Sequence, residues 1–199
     1  MLFCNISSDK VQLLDTKKEQ FLERNGIEDT LGPVLFQYNK KHSIDSLFLL
    51  NWPGGFTNLR VGTLVLNLFN KVLAHDKKKP VPIFSITKLD LYKYAFKKWR
   101  VPRYGIIYIG QRNNVWKSDF KTGKYTQITL DKIDYREEFF LDFVQAPYRK
   151  NKISMISFSI SKGKIACMYK KKNHLIDIED LGIKPTLSIQ PEYLIGATK

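Results

Sequence analysis

The strongest constraint on the fold lies between residues 47 and 75. An unbroken apolar run, Leu47-Phe48-Leu49-Leu50, leads into Trp52-Pro53-Gly54-Gly55-Phe56-Thr57-Asn58-Leu59-Arg60. Apolar residues without alternation form a strand buried on both faces, the pattern of a parallel or mixed sheet. Pro-Gly-Gly then imposes a tight turn. From about Thr57 to His75 the apolar residues recur at helical spacing, with Thr57 as the expected N-cap. Strand, glycine corner and helix in that order belong to a layered α/β fold. Backbone N–H groups at such a corner sit at a helix N-terminus, where the dipole favours anions. The corner is either a phosphate cradle or a structural turn. It is not a Walker loop, because no Gly-Lys-Ser/Thr follows, and no Gly-x-Gly-x-x-Gly occurs in the chain.

The flanking sequence extends the α/β pattern. Leu2–Ile6, Val11–Leu13 and Phe21-Leu22 form an opening meander of three strands, ended by Asn25-Gly26. Ile27 to about Lys40 is helical in spacing, with Leu31, Val34, Leu35 and Tyr38 on one side, and tolerates Pro33 only in its first turn. The helix after the corner is apolar over more than the usual third of its surface: Leu59, Leu66, Phe69 and Leu73 form one stripe, and Val61, Val65, Leu68 and Val72 widen it. Such a helix needs a deep core or a partner helix. Gly62 in its interior costs roughly 1 kcal/mol against Ala, and suits a close approach by another backbone. Beyond the basic loop Lys77–Pro80, Pro82–Ile86 is a strand and Thr87 caps a helix that runs to Trp99. The remainder is β-rich: 105–110, 115–120, 125–130, 152–159 and 164–169, with a hairpin turn at Thr122-Gly123 and a short helix at Tyr135–Val144. The basic loop divides the chain into expected domains 1–79 and 80–199.

Charge follows the same division. The chain has 199 residues and a net charge of +14, yet residues 1–76 hold eight basic and eight acidic side chains. The entire excess lies in residues 77–199. A basic half attracts nucleic acid or an acidic partner, although lysine runs also serve as solvated loops. Cys4 and Cys167 both lie in strand-like apolar runs, which fits buried thiols in a reducing, cytoplasmic setting. No apolar segment reaches the ~20 residues needed to span a bilayer, and the N-terminus lacks the pattern of a signal peptide.

Chemistry-bearing motifs are few. His42, His75 and His174 are scattered, with no His-Glu-x-x-His, no Cys-x-x-Cys and no Gly-x-Ser-x-Gly. No metal site and no catalytic residue is expected. Arg60, on the first turn of its helix, has two readings that stand level: contact with a phosphate or a partner carboxylate, or a bond to the corner's own carbonyls. Arg112 sits in an exposed turn.

Several segments resemble one family. Pro53-Gly54-x-Phe56-Thr57-x-Leu59-Arg60-x-Gly62 is similar to the Gly-Pro-Gly-Ser-Phe-Thr-Gly-Leu-Arg-x-Gly signature of the TsaB (YeaZ) family. The order of the surrounding elements agrees. Pro82-Ile83-Phe84-Ser85-Ile86 resembles the family's next strand, Gln111-Arg112-Asn113-Asn114-Val115-Trp116 its Arg-containing hairpin, and Pro191-Glu192-Tyr193-Leu194 its closing Pro-x-Tyr-Leu-Arg. The match is strongest over residues 1–120. Trp52 replaces the first glycine of the signature, Gly55 the serine and Asn58 the third glycine. Asn5 stands where the family has Asp, Gly110 replaces the Asp of the hairpin motif, and Ile195 stands at the final Arg. An amide at position 5 cannot supply the charge that a Mg²⁺ site uses.

The resemblance implies an actin-like (ASKHA, ribonuclease H-like) fold of two α/β lobes with mixed sheets flanked by helices, the second lobe reduced. It implies a non-catalytic scaffold subunit that binds a TsaD-like catalytic paralogue through a helix bundle, with Leu31, Val34, Leu35, Tyr38, Leu59, Gly62, Val65, Leu66 and Phe69 at the interface. TsaD would form threonylcarbamoyladenosine next to the tRNA anticodon, with a TsaE-like ATPase and tRNA completing the assembly. ATP and Mg²⁺ would serve the wider complex and no cofactor would bind this chain alone. The same helix face would support a homodimer when the partner is absent. Two other classes stand beside this reading: an ATP-binding enzyme of the same fold, and a basic RNA-binding module centred on residues 77–199.

Overall fold

The computed structural model describes residues 1–142 and 154–190, apart from residues 9, 16, 17, 24, 77–79, 100, 112, 135 and 163. Three antiparallel strands open the chain: β1 (Leu2–Asn5), β2 (Val11–Leu14) and β3 (Glu19–Leu22). α1 (Ile27–His42) crosses to β4 (Leu47–Asn51), which pairs parallel to β1. α2 (Phe56–Asp76) crosses to β5 (Ile83–Thr87), parallel to β4. The resulting order is β3-β2-β1-β4-β5. The first sheet therefore runs past the basic loop to Thr87. Every residue of β4 is buried, as its unbroken apolar run requires.

After α3 (Lys88–Trp99) the same path is drawn again. β6 (Tyr104–Tyr108), β7 (Asn114–Asp119) and β8 (Lys124–Thr129) form an antiparallel meander. β9 (Phe139–Leu141) pairs parallel to β6, and β10 (Ser154–Ser161) parallel to β9. β11 (Lys164–Tyr169) and β12 (Lys172–Ile176) add an antiparallel hairpin. The seven-stranded order, β12-β11-β10-β9-β6-β7-β8, contains the five-strand order of the first sheet. A meander followed by two parallel crossovers, used twice, is the actin-like two-lobe topology. The second copy is reduced: where the first has the four-turn α1 between its third and fourth strands, the described residues of the second show a 3₁₀ turn at Leu130–Lys132.

α1 and α2 cover the outer face of the first sheet, over a core that includes Leu2, Cys4, Leu47 and Leu49. α3 lies in the core between the sheets, where Leu91, Tyr92 and Ala95 meet Phe3, Phe48, Ile107, Phe140 and Phe158. Residues 183–190 return to the first lobe, where Thr186 bridges the free edge of β5 at Ile83. Burial pushes the Cys4 and Cys167 thiols up to about 12, so both stay protonated.

Three expectations change. Residues 135–144 are not a helix: β9 occupies 139–141, where Phe139-Phe140-Leu141 is buried between two parallel neighbours, and residues 135, 143 and 144 lie outside the described set. Pro33 sits in the second turn of α1. The bond that it cannot donate falls on the solvent side, where Pro33 and Asp29 are both exposed. Thr57 is not the N-cap, because the Leu59 N–H already bonds Gly55 O at 3.0 Å, which makes Gly55 the cap.

Candidate interaction surface

The glycine corner is packed against two hairpin turns, one from each lobe. A Cβ on Gly54 would overlap the Ser7 backbone in the β1–β2 turn. A Cβ on Gly110, which has φ +81° in the β6–β7 turn, would overlap the Gly55 backbone. Both glycines are required by these approaches. The corner's own backbone therefore lies between the two turns.

The side chains around the corner serve the same packing. Asn5 Oδ1 accepts from Ser7 N at 3.0 Å and from Ser7 Oγ at 2.8 Å, and Asn5 Nδ2 donates to Ser8 Oγ at 3.0 Å. This is an Asx turn, in which the amide holds its own hairpin. Asn58, fully buried on the first turn of α2, donates from Nδ2 to Ser8 O at 2.9 Å. The two asparagines that depart from the family pattern thus secure one turn. The Trp52–Pro53 peptide is cis, and Trp52 O accepts from Lys88 N at 2.8 Å, which ties the corner to α3. Pro53 is buried, while Phe56, Thr57 and Arg60 follow on α2 with Phe56 and Arg60 exposed. Arg112, Pro191, Tyr193 and Leu194 lie outside the described residues.

The residues expected at a partner interface divide sharply. Leu31, Leu35, Leu59, Leu66 and Phe69 are 0–3% exposed and belong to the first lobe's own core. Val34, Tyr38 and Val65 are partly buried against it. Gly62 does receive a close neighbour, but it is Ile6 of the same chain: a Cβ there would stand 2.7 Å from Ile6 Cγ2. The face that α2 turns outward carries Leu64, Leu68 and Val72, spaced by four residues and 40–58% exposed, and α1 adds Phe36, edge-on to Phe69. Gly32 of α1 lies against Val65 of α2, so the two helices present one surface. Three apolar side chains thus stand in line on one exposed helix face.

A second polar centre had no local sequence signal. Lys88, at the start of α3, and Asp142, after β9, are 1% and 0% exposed and pair at 2.7 Å. Asp142 also accepts from Tyr92 Oη at 3.3 Å and Tyr108 N at 2.8 Å, and Lys88 Nζ donates to Tyr108 O at 3.3 Å. Burial lowers the lysine pKa, against the opposing pull of Asp142. Its partners lie on α3, β6 and the end of β9, so the pair joins α3 to the second sheet. His42 and His75 are exposed, and His174 stacks on Trp99. Among the described residues, no three His, Cys, Asp or Glu side chains gather to hold a metal, and no helix is long and apolar enough to cross a membrane.

The chain is therefore a two-lobed actin-like protein whose paired turns are filled from within and whose first lobe presents an apolar helix face. No protein-family model matches it, and no curated protein sequence does. Among solved structures, YeaZ from Pseudomonas aeruginosa is similar at 15% identity and a TM-score of 0.45, over 77% of this chain and 79% of that one. An uncharacterized protein described as similar to peptidase YEAZ from Pseudomonas aeruginosa gives 14% and 0.44, over 80% and 83%. The fold assignment rests on the strand order, and likenesses this distant place no residue and assign no activity.

Proposed function

We propose that this chain is a non-catalytic scaffold subunit of the TsaB type. In this reading it docks a TsaD-like catalytic paralogue through the outward face of α1 and α2 and supports threonylcarbamoyladenosine formation on tRNA. The observation that carries the reading is the exposed line Leu64, Leu68 and Val72 beside Phe36. Helix faces of this kind bury their apolar side chains against a partner's helices. The residues around Pro53–Gly62 support the choice of family, and the packed glycine corner supports a scaffold over an ATP-using enzyme. The interface is made by the outward residues, not by the core residues of the same helices. The wider assembly supplies ATP and Mg²⁺ through its other members, and the setting is the cytoplasm.

Co-expression with the TsaD-like protein of the same genome tests this directly. The two should co-purify as a stable complex through size exclusion. Separate elution at micromolar concentration counts against the reading.

A further inference from the structure

Part of the basic excess of residues 77–199 falls on the β11–β12 turn, where the backbone is left-handed. β11 and β12 are joined by the two-residue turn Lys170-Lys171, with φ of +48° and +64°. A turn with both central residues left-handed favours Asn-Gly, because those residues occupy that region at little cost. Lysines at both positions place charge at the tip against the local backbone preference, and strain of this kind points to a function.

The tip is held next to a second basic element. His174 of β12 stacks on Trp99 at the end of α3, with ring centroids 4.7 Å apart and planes at 15°. Lys172 lies two residues before His174 on the strand, so both side chains fall on the face that meets α3. Lys97 and Lys98 precede Trp99 in the last turn of α3. Lys170 is paired with Glu138 at 2.8 Å. Lys97, Lys98, Lys171 and Lys172 are exposed, and none has a carboxylate partner among the described residues. The closest aromatic contact is Lys98, 5.7 Å from the Tyr94 ring, whose hydroxyl is engaged by Asp180.

We propose that the β11–β12 tip and the end of α3 form a direct contact surface for the phosphate backbone of RNA. Four exposed ammonium groups without a carboxylate partner among the described residues, beside a Trp–His stack, suit a polyanion whose charges are regularly spaced, and counterion release drives such binding. A membrane surface fits less well, because Trp99 is held between His174 and Tyr94 and is not free to insert. The choice of RNA among polyanions rests on the tRNA-modification reading; the cationic surface does not.

The test is anisotropy of a labelled tRNA transcript with the full chain across a salt series. Reversing Lys97, Lys98, Lys171 and Lys172 to Glu should lower the salt slope by about 3 and weaken binding about 100-fold at 0.1 M salt. Reversing Lys18, Lys71, Lys121 and Lys124, with the same change in net charge, should cost far less. Lys170→Asn with Lys171→Gly should raise Tm and still weaken tRNA binding, which separates lost contact from lost fold. Equal losses in the two quadruple variants, or full tRNA affinity in the Asn-Gly variant, would overturn the proposal. Binding of phosphatidylserine vesicles without binding of tRNA would overturn it in favour of a membrane. Leu64→Asp with Leu68→Asp, which targets docking, should leave tRNA binding by the isolated chain intact, so failure of one claim is distinguishable from failure of the other.

Discussion

Asn58 carries much of the organisation of the glycine corner in one amide. Fully buried, it bonds the carbonyl of Ser8 in the opposite hairpin, while Asn5 closes the same hairpin from inside. Asn58→Ala removes the donor and leaves a carbonyl at a tightly packed site without it. The expected loss is about 1–3 kcal/mol in urea unfolding, with m unchanged. Both asparagines stand out in the sequence, but only as departures from a pattern. Their task was not legible there because Asn58 and Ser8 are 50 positions apart, and no local spacing joins them. The Gly54 and Gly110 approaches were hidden for the same reason, although Gly-Gly after Pro correctly signalled a turn.

At the scale of elements, α2 shows how far periodicity reaches. Its apolar breadth correctly signals that the helix has more than one apolar face. It does not say which stripe is taken by the chain's own sheet, because Leu66 and Leu68 are equally apolar and differ only in what packs above them. β9 is the opposite case: a three-residue strand is too short for any period to register, and its identity comes from its two parallel neighbours. α2 also anchors the returning segment. Asn67 exchanges two bonds with the Ile189 backbone, at 2.8 and 2.9 Å, and Asn70 bonds both Val81 N and Leu187 O. Asn67→Ala with Asn70→Ala should release residues 187–189 from α2. Hydrogen exchange should then show lost protection at Ile189 and Val81, with a stability cost of about 2–4 kcal/mol. Protection unchanged at both amides would show that the anchoring lies elsewhere.

For the whole molecule, the repeated strand order and the bridge of Lys88 and Asp142 set the relation of the lobes. The opening meander, the two crossovers and the basic second half were legible in the sequence. The family resemblance implied two lobes, the second reduced; spacing alone did not reveal the repeated strand order, because among the described residues the second copy shows no counterpart of the long α1. The buried pair joins α3 to the second sheet, so removing one charge strands the other. Lys88→Met or Asp142→Asn should each cost about 3–5 kcal/mol, and Lys88→Met with Asp142→Leu should recover much of that loss, as urea titration of the three variants would show. The central claim concerns the outward helix face. Calorimetric titration of the TsaD-like paralogue with the wild-type chain and with Leu64→Asp/Leu68→Asp tests it most directly. The account predicts at least a ~100-fold loss of affinity, about 3 kcal/mol, with Tm little changed because both residues are solvent-exposed. Undiminished affinity in a folded double variant would contradict it.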